Sequence, residues 1–431
     1  MLQARHCFFL VLCLAAPPAL AGSDAGLTPS TVTLRQCYEW AQARSEVLKS
    51  RAEDIVQSKA RARAALGGAF PQVGWEWSDT WQDPSGVDQL VAQGFGGFVT
   101  KQEQDSDFYL HQPLFSGLRE FSARSGFERQ SARDALLLQR SHLDLFEQTA
   151  DDFYQVIALE TERANSLATL GLAQDRYQEL ASFLKLGKSR QSELYTAQAR
   201  IQALKANLEQ LSGRIQSARE ELSFITGRDL SAQPLSDEIP DQPAVQALDQ
   251  ALLKVSGRTD LRAQREDLEA RRMQVRYERG AYWPNADVTG HYYTQRATYL
   301  DAIDWDVIVA LRVPLYQGGT VSAHVAEALA AERQSSWRLE EMQRTIYTAV
   351  RKTHAELTAA LRESAVLGDA TAAAQKSYDA LREEYRLGLV TNLDVLEALD
   401  FLQTQRTAHD DARLRAKELY LSLGAETETL P

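Results

Sequence analysis

The sequence has few of the residues that interrupt or cross-link a chain. It holds 23 glycines, 12 prolines and 3 cysteines in 431 residues. Sparse glycine and proline, in a chain rich in alanine, leucine, glutamate and arginine, indicate a mainly helical protein. Cys7 and Cys13 lie in a leader that we expect to be removed, and Cys37 alone cannot form an intramolecular disulfide. Packing must therefore stabilise the fold.

Long apolar runs are missing after residue 21. Residues 1–21 contain Arg5, an apolar run from Phe8 to Ala16 and the small-residue site Ala19-Leu20-Ala21, which is the pattern of a cleaved secretory signal. We therefore expect an exported protein. Beyond this segment no run approaches the roughly 20 apolar residues of a membrane-spanning helix. Any entry into a membrane would have to be made by strands.

Positive charge and catalytic motifs are also scarce. The formal net charge is −12, which disfavours nucleic acid and anionic lipid surfaces as partners. The histidines are scattered without metal-ligand spacing, and no nucleophile elbow or nucleotide fingerprint is present. Paired carboxylates fall in helical stretches, where a solvated face is the ordinary explanation. The sequence predicts a non-enzyme with no catalytic residues, no metal and no cofactor.

An internal duplication organises the chain. Gly187 and Gly388 lie 201 residues apart, and each ends a long helical pattern in a Leu-Gly pair. A second helical pattern begins a few residues later, with a carboxylate six residues after the glycine, at Glu193 and Asp394. A helix that ends in glycine and then restarts predicts a helix hairpin.

A second pair of motifs has the same offset. Gln112–Gly117 and Val313–Gly318 each place Pro-Leu-aromatic before a proline-free stretch of about 70 residues, or roughly 100 Å of helix. Steps of three and four between apolar residues indicate coiled-coil packing. Each repeat is predicted as a helix, two strands, a long helix, a turn and a return helix. The opening helix is predicted from Thr33 to about Leu66 in the first repeat and from Val245 to Glu278 in the second. The predicted divisions are a signal peptide at 1–21, a first repeat at 22–227, a linker at 228–244 and a second repeat at 245–431.

Apolar residues at every second position predict strands in both repeats, joined in the first by a polar loop at 82–105. A half-buried strand in a soluble sheet is the ordinary explanation, but clustered aromatic residues suit the girdle of a membrane interface. The girdle that we predict consists of Trp75, Trp77, Trp81, Tyr292 and Tyr293. Four strands cannot close a barrel, and an open edge cannot lie in lipid, so several chains must share one barrel. Two, three or more chains would satisfy this argument.

The ordered set of motifs resembles the TolC-type outer-membrane efflux protein family of Gram-negative bacteria. The motifs that carry the resemblance are Val313–Gly319, Ile225-Thr226-Gly227, Tyr385-x-x-Gly388 and Leu393–Leu396. The resemblance implies a homotrimer with a 12-stranded β-barrel in outer-membrane lipid and a 12-helix α-barrel in the periplasm. It also implies an exit duct of a tripartite efflux pump or type I secretion system, with a periplasmic adaptor (membrane fusion) protein and an inner-membrane pump of the RND or ABC type as partners.

The resemblance also assigns site residues. Asp394 and Glu397 match the acidic constriction at the tunnel mouth, and Tyr385 matches a tip tyrosine that bonds to neighbouring helices. The basic tip residue of some relatives is replaced here by Val390, so Lys188 and Arg190 are candidates for that role. The residues expected to meet an adaptor at the tip are Gly187, Lys188, Arg190, Glu193, Gly388 and Val390.

One alternative belongs to another functional class. A periplasmic coiled-coil adaptor or scaffold protein would share the long helices without entering a membrane. Such a protein has no need of two aromatic strand pairs, so the strands favour the channel.

Overall fold

A computed structural model of the protein describes residues 31–297, 300 and 302–429. The predicted signal peptide lies outside these residues. Within them, no helix combines the length and the apolar character required to cross a membrane. The helices and strands, in chain order, are β1 (Val32–Thr33), α1 (Leu34–Arg44), α2 (Glu46–Gly67), β2 (Gln72–Trp81), α3 (Pro84–Leu90), β3 (Gln102–Ser116), α4 (Arg119–Lys185), α5 (Gln191–Thr226), β4 (Leu235–Ser236), α6 (Leu248–Val255), α7 (Thr259–Gly280), β5 (Asn285–Gln295), β6 (Trp305–Arg312), α8 (Thr320–Arg386) and α9 (Asn392–Glu426).

Two long helices of equal length form the body of the molecule. α4 and α8 each contain 67 residues, or about 100 Å at 1.5 Å per residue. α2, α5, α7 and α9 all pack along α4, and α7 and α9 also pack along α8. α7 and α9 therefore join the two long helices into one bundle. The two predicted hairpins are α4–α5 and α8–α9.

The first predicted helix, Thr33 to about Leu66, is wrong as a single element. The chain leaves helical geometry at Ser45, with φ −43° and ψ 113°, and the Ser45 side chain accepts a hydrogen bond from the Leu48 N–H. The predicted helix from Val245 to Glu278 is likewise interrupted, because Arg258 has ψ 140°. A serine that caps the following helix gives the backbone an alternative to continuing the first one.

A four-stranded antiparallel sheet lies at one end of the helices, in the order β2-β3-β5-β6. Its register aligns one aromatic residue from each strand in a single row: Trp75, Phe108, Tyr292 and Trp305. β2 and β6 are the edges and have no further strand partner among the described residues. The predicted loop at 82–105 is partly helical, because Asp83 caps α3 with Pro84 at its first position.

Among the residues that the structure describes, buried apolar side chains form three clusters along the helices. The first contains Phe153 and Leu222, where α1 and α5 meet α4. The second contains Val350 and Leu357 of α8 against α6 and α7. The third contains Tyr378, near the end of α8 where both hairpins turn. The core is therefore drawn out along the bundle.

The connection between the two halves is held to the helices by an ion cluster around the buried Lys417. The Lys417 ammonium lies 2.6 Å from Asp237 and 2.7 Å from Asp241, and the Tyr154 hydroxyl donates to Asp237 at 2.8 Å. Lys417 is only 3% exposed, so removing its partners would leave a buried charge unpaired. The strand pair β1–β4 adds a parallel backbone contact on the same connection.

Candidate functional sites: the tip turns and the sheet face

The two hairpins end in matching turns, which we call the tip turns, at residues 186–190 and 387–391. Gly187 has φ +70° and Gly388 has φ +76°, as the sequence predicted from the helix ends. In each turn an N–H reaches back five residues to a helix carbonyl: Lys188 to Phe183 at 2.8 Å, and Leu389 to Glu384 at 3.0 Å. A Cβ added to either glycine would meet nothing within 4 Å. The backbone conformation, not space, is what favours glycine here.

An open cleft of about 850 Å³ separates the tip turns and is lined by residues of both. Leucines protrude beside it, since Leu186, Leu387 and Leu389 are exposed. Lys188 and Arg190 are also exposed, and neither makes an ion pair with any residue that the structure describes. Val390 is half-buried. The turns thus present apolar and basic side chains around one cleft.

Tyr385 connects three helices next to this cleft. Its hydroxyl donates to Glu193 of α5 at 3.1 Å, and Ser189 donates to the same carboxylate oxygen at 2.7 Å. The guanidinium carbon of Arg176, on α4, lies 3.7 Å from the centre of the Tyr385 ring. A buried cation over an aromatic face contributes on the order of 2 kcal/mol. Tyr385 therefore holds the end of α8 against both helices of the first hairpin.

A charged cluster centred on Glu179 joins α4 to α8 and α9. Glu179 accepts from Arg176 at 3.3 Å, from Arg382 at 3.1 Å and from Arg386 at 3.1 Å. Burial alone would raise the pKa of Glu179, but the hydrogen bonds from Arg386 and Arg382 outweigh it and hold the pKa below its usual range. Arg176 also donates to the Asn392 side chain at 3.0 Å. The cluster ties both hairpins together inside one chain.

Sequence reasoning missed this cluster. Its partners lie about 200 residues apart, and no local pattern shows that Glu179 faces the end of α8. One signal was available, because Arg382 and Arg386 are four residues apart and so share one helix face. Two arginines on the face that carries Tyr378 predict an acidic partner on the opposing helix.

The structure places Asp394 and Glu397 at the start of α9. Asp394 accepts from the Thr391 N–H and hydroxyl, both at 2.6 Å, while its own N–H donates back to Thr391 at 3.3 Å. These bonds form a capping box, and they hold the pKa of Asp394 below its usual range. Glu397 is exposed one turn later. In a single chain, helix capping accounts for Asp394; a constriction would form only between chains.

The sheet has one exposed apolar face, which we call the apolar sheet face. Trp75, Trp77, Trp81 and Tyr292 of the predicted girdle are exposed on it, with Val309 of β6. The fifth predicted girdle residue, Tyr293, lies on the other face because side chains alternate along a strand. There its hydroxyl donates to Asp306 at 2.9 Å. The opposite face is polar, and His291 contacts Asp107 at 2.7 Å there.

Comparison with known proteins identifies the kind of molecule that this chain resembles. Residues 248–425 match the family model described as outer membrane efflux protein. The proteases secretion protein PrtF of Dickeya chrysanthemi is 25% identical over 350 residues, 77% of this chain and 75% of PrtF. Outer membrane protein TolC of Salmonella enteritidis is 32% identical over 101 residues, 23% of this chain and 21% of TolC.

Solved structures show the same fold at lower identity. A crystal structure of CusC, studied for transmembrane channel formation, matches with a TM-score of 0.79 at 17% identity, covering 94% of this chain and 95% of that one. The outer membrane protein VceC of Vibrio cholerae matches with a TM-score of 0.78 at 18% identity, covering 91% and 95%. Both likenesses cover more than nine tenths of this chain.

Proposed function

Since this chain belongs to the outer membrane efflux protein family, we propose that three copies of it assemble one closed channel. The chain lies in the outer membrane of a Gram-negative bacterium and extends into the periplasm. It is the exit duct of an efflux or secretion system, and the adaptor or scaffold alternative is not supported. Three four-stranded sheets would form a 12-stranded barrel, and the helices of three chains a 12-helix barrel below it.

The sheet carries this proposal. One of its faces is apolar and exposed, and both of its edge strands lack a partner among the described residues. β2 and β6 run in opposite directions, because each neighbouring pair in the sheet is antiparallel. A β2 edge can therefore pair with the β6 edge of a second copy and continue the sheet. Lipid requires such closure, since unpaired backbone groups cost several kcal/mol each there.

We further propose that the chain divides as the sequence predicted, into repeats at 22–227 and 245–431 joined by a linker at 228–244. The tip turns would then lie at the periplasmic end, where an adaptor protein and an inner-membrane pump dock. The exposed leucines and basic residues around the cleft between the turns support a protein contact at this place.

Disulfide trapping across the chain boundary tests the shared barrel. Glu76→Cys on β2 would be combined in turn with Asp306→Cys, Ile308→Cys and Ala310→Cys on β6, all on the polar face. We expect one of the three pairs to give covalent trimers on oxidation of outer-membrane fractions, and each single variant to give none. Fully monomeric protein in all three pairs, despite correct membrane insertion, would contradict the shared barrel.

A further inference from the structure

The helix ends next to the sheet are strongly basic, unlike the chain as a whole. These ends are residues 59–67 of α2, 119–130 of α4, 271–280 of α7 and 320–330 of α8. They contain ten lysines and arginines against four carboxylates, a net charge of +6 in a chain whose net charge is −12. Positive charge is thus concentrated where α2, α4 and α7 reach the sheet, because residues 320–330 of α8 contain no lysine or arginine.

Several of these cations are exposed and lack an acidic partner. Arg61, Arg63, Arg276 and Arg279 are all exposed, and no carboxylate of the described residues lies within 4.0 Å of them. The helix dipole favours a basic residue in the last turn, as at Arg279, but its effect ends there. The helix dipole does not explain why Arg276, nearly one turn earlier, is also an unpaired arginine. Unpaired arginines side by side are suited to an external anion.

Two of these arginines edge a groove between the start of α4 and the end of α7. The groove has a volume of about 380 Å³, and Arg276 and Arg279 line it together with apolar side chains. Leu118, Phe121 and Trp283 supply much of the apolar surface and are each more than half exposed. The site is therefore apolar along its floor and cationic along its edge.

The groove is continuous with the apolar sheet face. A bulge between Pro113 and Phe115 shifts the register of β3, so that Phe115 lies opposite Ala286 of β5. Ala286 pairs in turn with Leu311 of β6, which is exposed on the apolar sheet face. The Phe115 ring then contacts Trp283, with 6.4 Å between ring centres. A molecule lying against the sheet face can therefore extend into the groove without crossing polar surface.

We propose that this groove binds an anionic phospholipid of the periplasmic leaflet. Its acyl chain would lie along Leu118, Phe121 and Trp283, and its phosphate would accept hydrogen bonds from Arg276 and Arg279. A guanidinium presents paired N–H groups that match phosphate oxygens, and tryptophan favours the headgroup level. The inference rests on the proposed function, because the sheet face must lie in lipid. The net charge of −12 disfavours anionic lipid as a partner of the chain as a whole. The helix ends around the groove have a net positive charge, so this argument does not apply to the groove.

Lipid binding to the purified, detergent-solubilised protein tests this site. The probes are phosphatidylglycerol and phosphatidylcholine with identical acyl chains, and the bound molecules are counted by native mass spectrometry. We expect the parent to prefer phosphatidylglycerol, and R276Q/R279Q to bind it on the order of tenfold more weakly. R276K/R279K keeps the charge and should retain most of the preference. R344Q/R351Q, at two exposed arginines of α8, is the matched control and should bind as the parent does.

The proposal would be overturned by no lipid preference in the parent, by equal affinity in the parent and R276Q/R279Q, or by an equal loss of affinity in the control. The R276Q/R279Q oligomer could also dissociate while the number of bound lipid molecules per chain stays the same. That result would overturn the proposal, because it would show that a second copy of the chain covers the groove in the parent. Flotation with liposomes separates these results from failure of the proposed function. A parent that does not float contradicts both claims, whereas a parent that floats without lipid preference contradicts only this one.

Discussion

Glu418 on α9 is a half-buried acid whose environment opposes its charge. Burial, and then the nearby charge of Asp151, raise the pKa of Glu418 to about 7, from about 4.3 in an unfolded chain. The folded state therefore binds this proton more tightly than the unfolded state does. Above pH 7 the ionised carboxylate destabilises the fold, and this cost disappears as the pH falls toward 4.5.

Replacing Glu418 with glutamine removes that cost. We expect Glu418→Gln to stabilise the protein by about 1–3 kcal/mol at pH 8, and to have little effect near pH 4.5. Thermal unfolding of the detergent-solubilised protein at both pH values measures the difference. Glu341→Gln, at an exposed glutamate of α8, is the control. A gain at pH 8 no larger than the control's would show that Glu418 is solvated in the assembly.

Asp394 and Glu397 are three residues apart on α9, so they share one helix face. In a trimer this face would be repeated around the axis as a ring of six carboxylates, which attracts cations. We expect the purified channel in planar bilayers to be cation-selective and to be blocked from the periplasmic side by multivalent cations. Asp394→Asn combined with Glu397→Gln should weaken both properties without preventing assembly. Because Asp394 also caps α9, Glu397→Gln alone separates a local capping effect from loss of the ring.

The tip glycines allow a test that separates backbone conformation from packing. Gly187→Val and Gly388→Val place a β-branched residue at positive φ, which costs roughly 1–2 kcal/mol, although nothing crowds the new side chain. We expect each variant to insert into the membrane normally but to reduce efflux, because the adaptor contact is distorted. Gly213→Val, at an exposed helical glycine with open space around it, is the control. Undiminished efflux in both tip variants would argue against docking at these turns.

At the scale of elements, the duplication made the largest parts of the fold predictable. Two proline-free stretches of equal length predicted α4 and α8, and the Leu-Gly pairs predicted the turns that follow them. The break at Ser45 was missed because a serine inside a helical pattern is ordinarily tolerated. The helix α3 was missed because the glycines around it indicated a loop, although Asp83-Pro84 is a helix-start signal.

The candidate site was less predictable than the fold. The tip turns depend on local sequence and could be found, as could the period-two pattern of the apolar sheet face. The cluster of Arg176, Glu179 and Arg386 depends on which faces of α4 and α8 meet, and that is set by packing along the whole bundle. Tyr293 was misplaced because a pair of adjacent aromatic residues does not reveal which one faces outward.

The segment between β2 and β3 gives a test of topology. If the apolar sheet face lies in the outer membrane, this segment is outside the cell, where loop length varies freely. We expect an epitope tag inserted between Gly96 and Gly97 to be labelled on intact cells without loss of the trimer. A tag in the tip turn after Lys188 is the control and should be labelled only after the outer membrane is permeabilised. Labelling of both tags, or of neither, on intact cells would contradict the orientation.

At the scale of the whole molecule, the two ends have different chemistry. The sheet end carries the apolar sheet face, and the basic ends of α2, α4 and α7 lie next to it. This combination suits a bilayer. The tip end carries exposed leucines around a cleft, with two cations that have no ion-pair partner in the part of the chain that the structure describes. Tyr385 and Glu179 tie both hairpins together there. About 100 Å of helix separates the two ends. This arrangement fits the exit duct proposed above.

Conductance of the purified protein in a planar bilayer tests this account most directly. We predict discrete current steps of uniform size from detergent-extracted trimers, with cation selectivity and block from one side only. A protein that floats with liposomes but gives no current steps, even when tip contacts are removed by Tyr385→Phe together with Glu179→Gln, would contradict a continuous duct through the assembly.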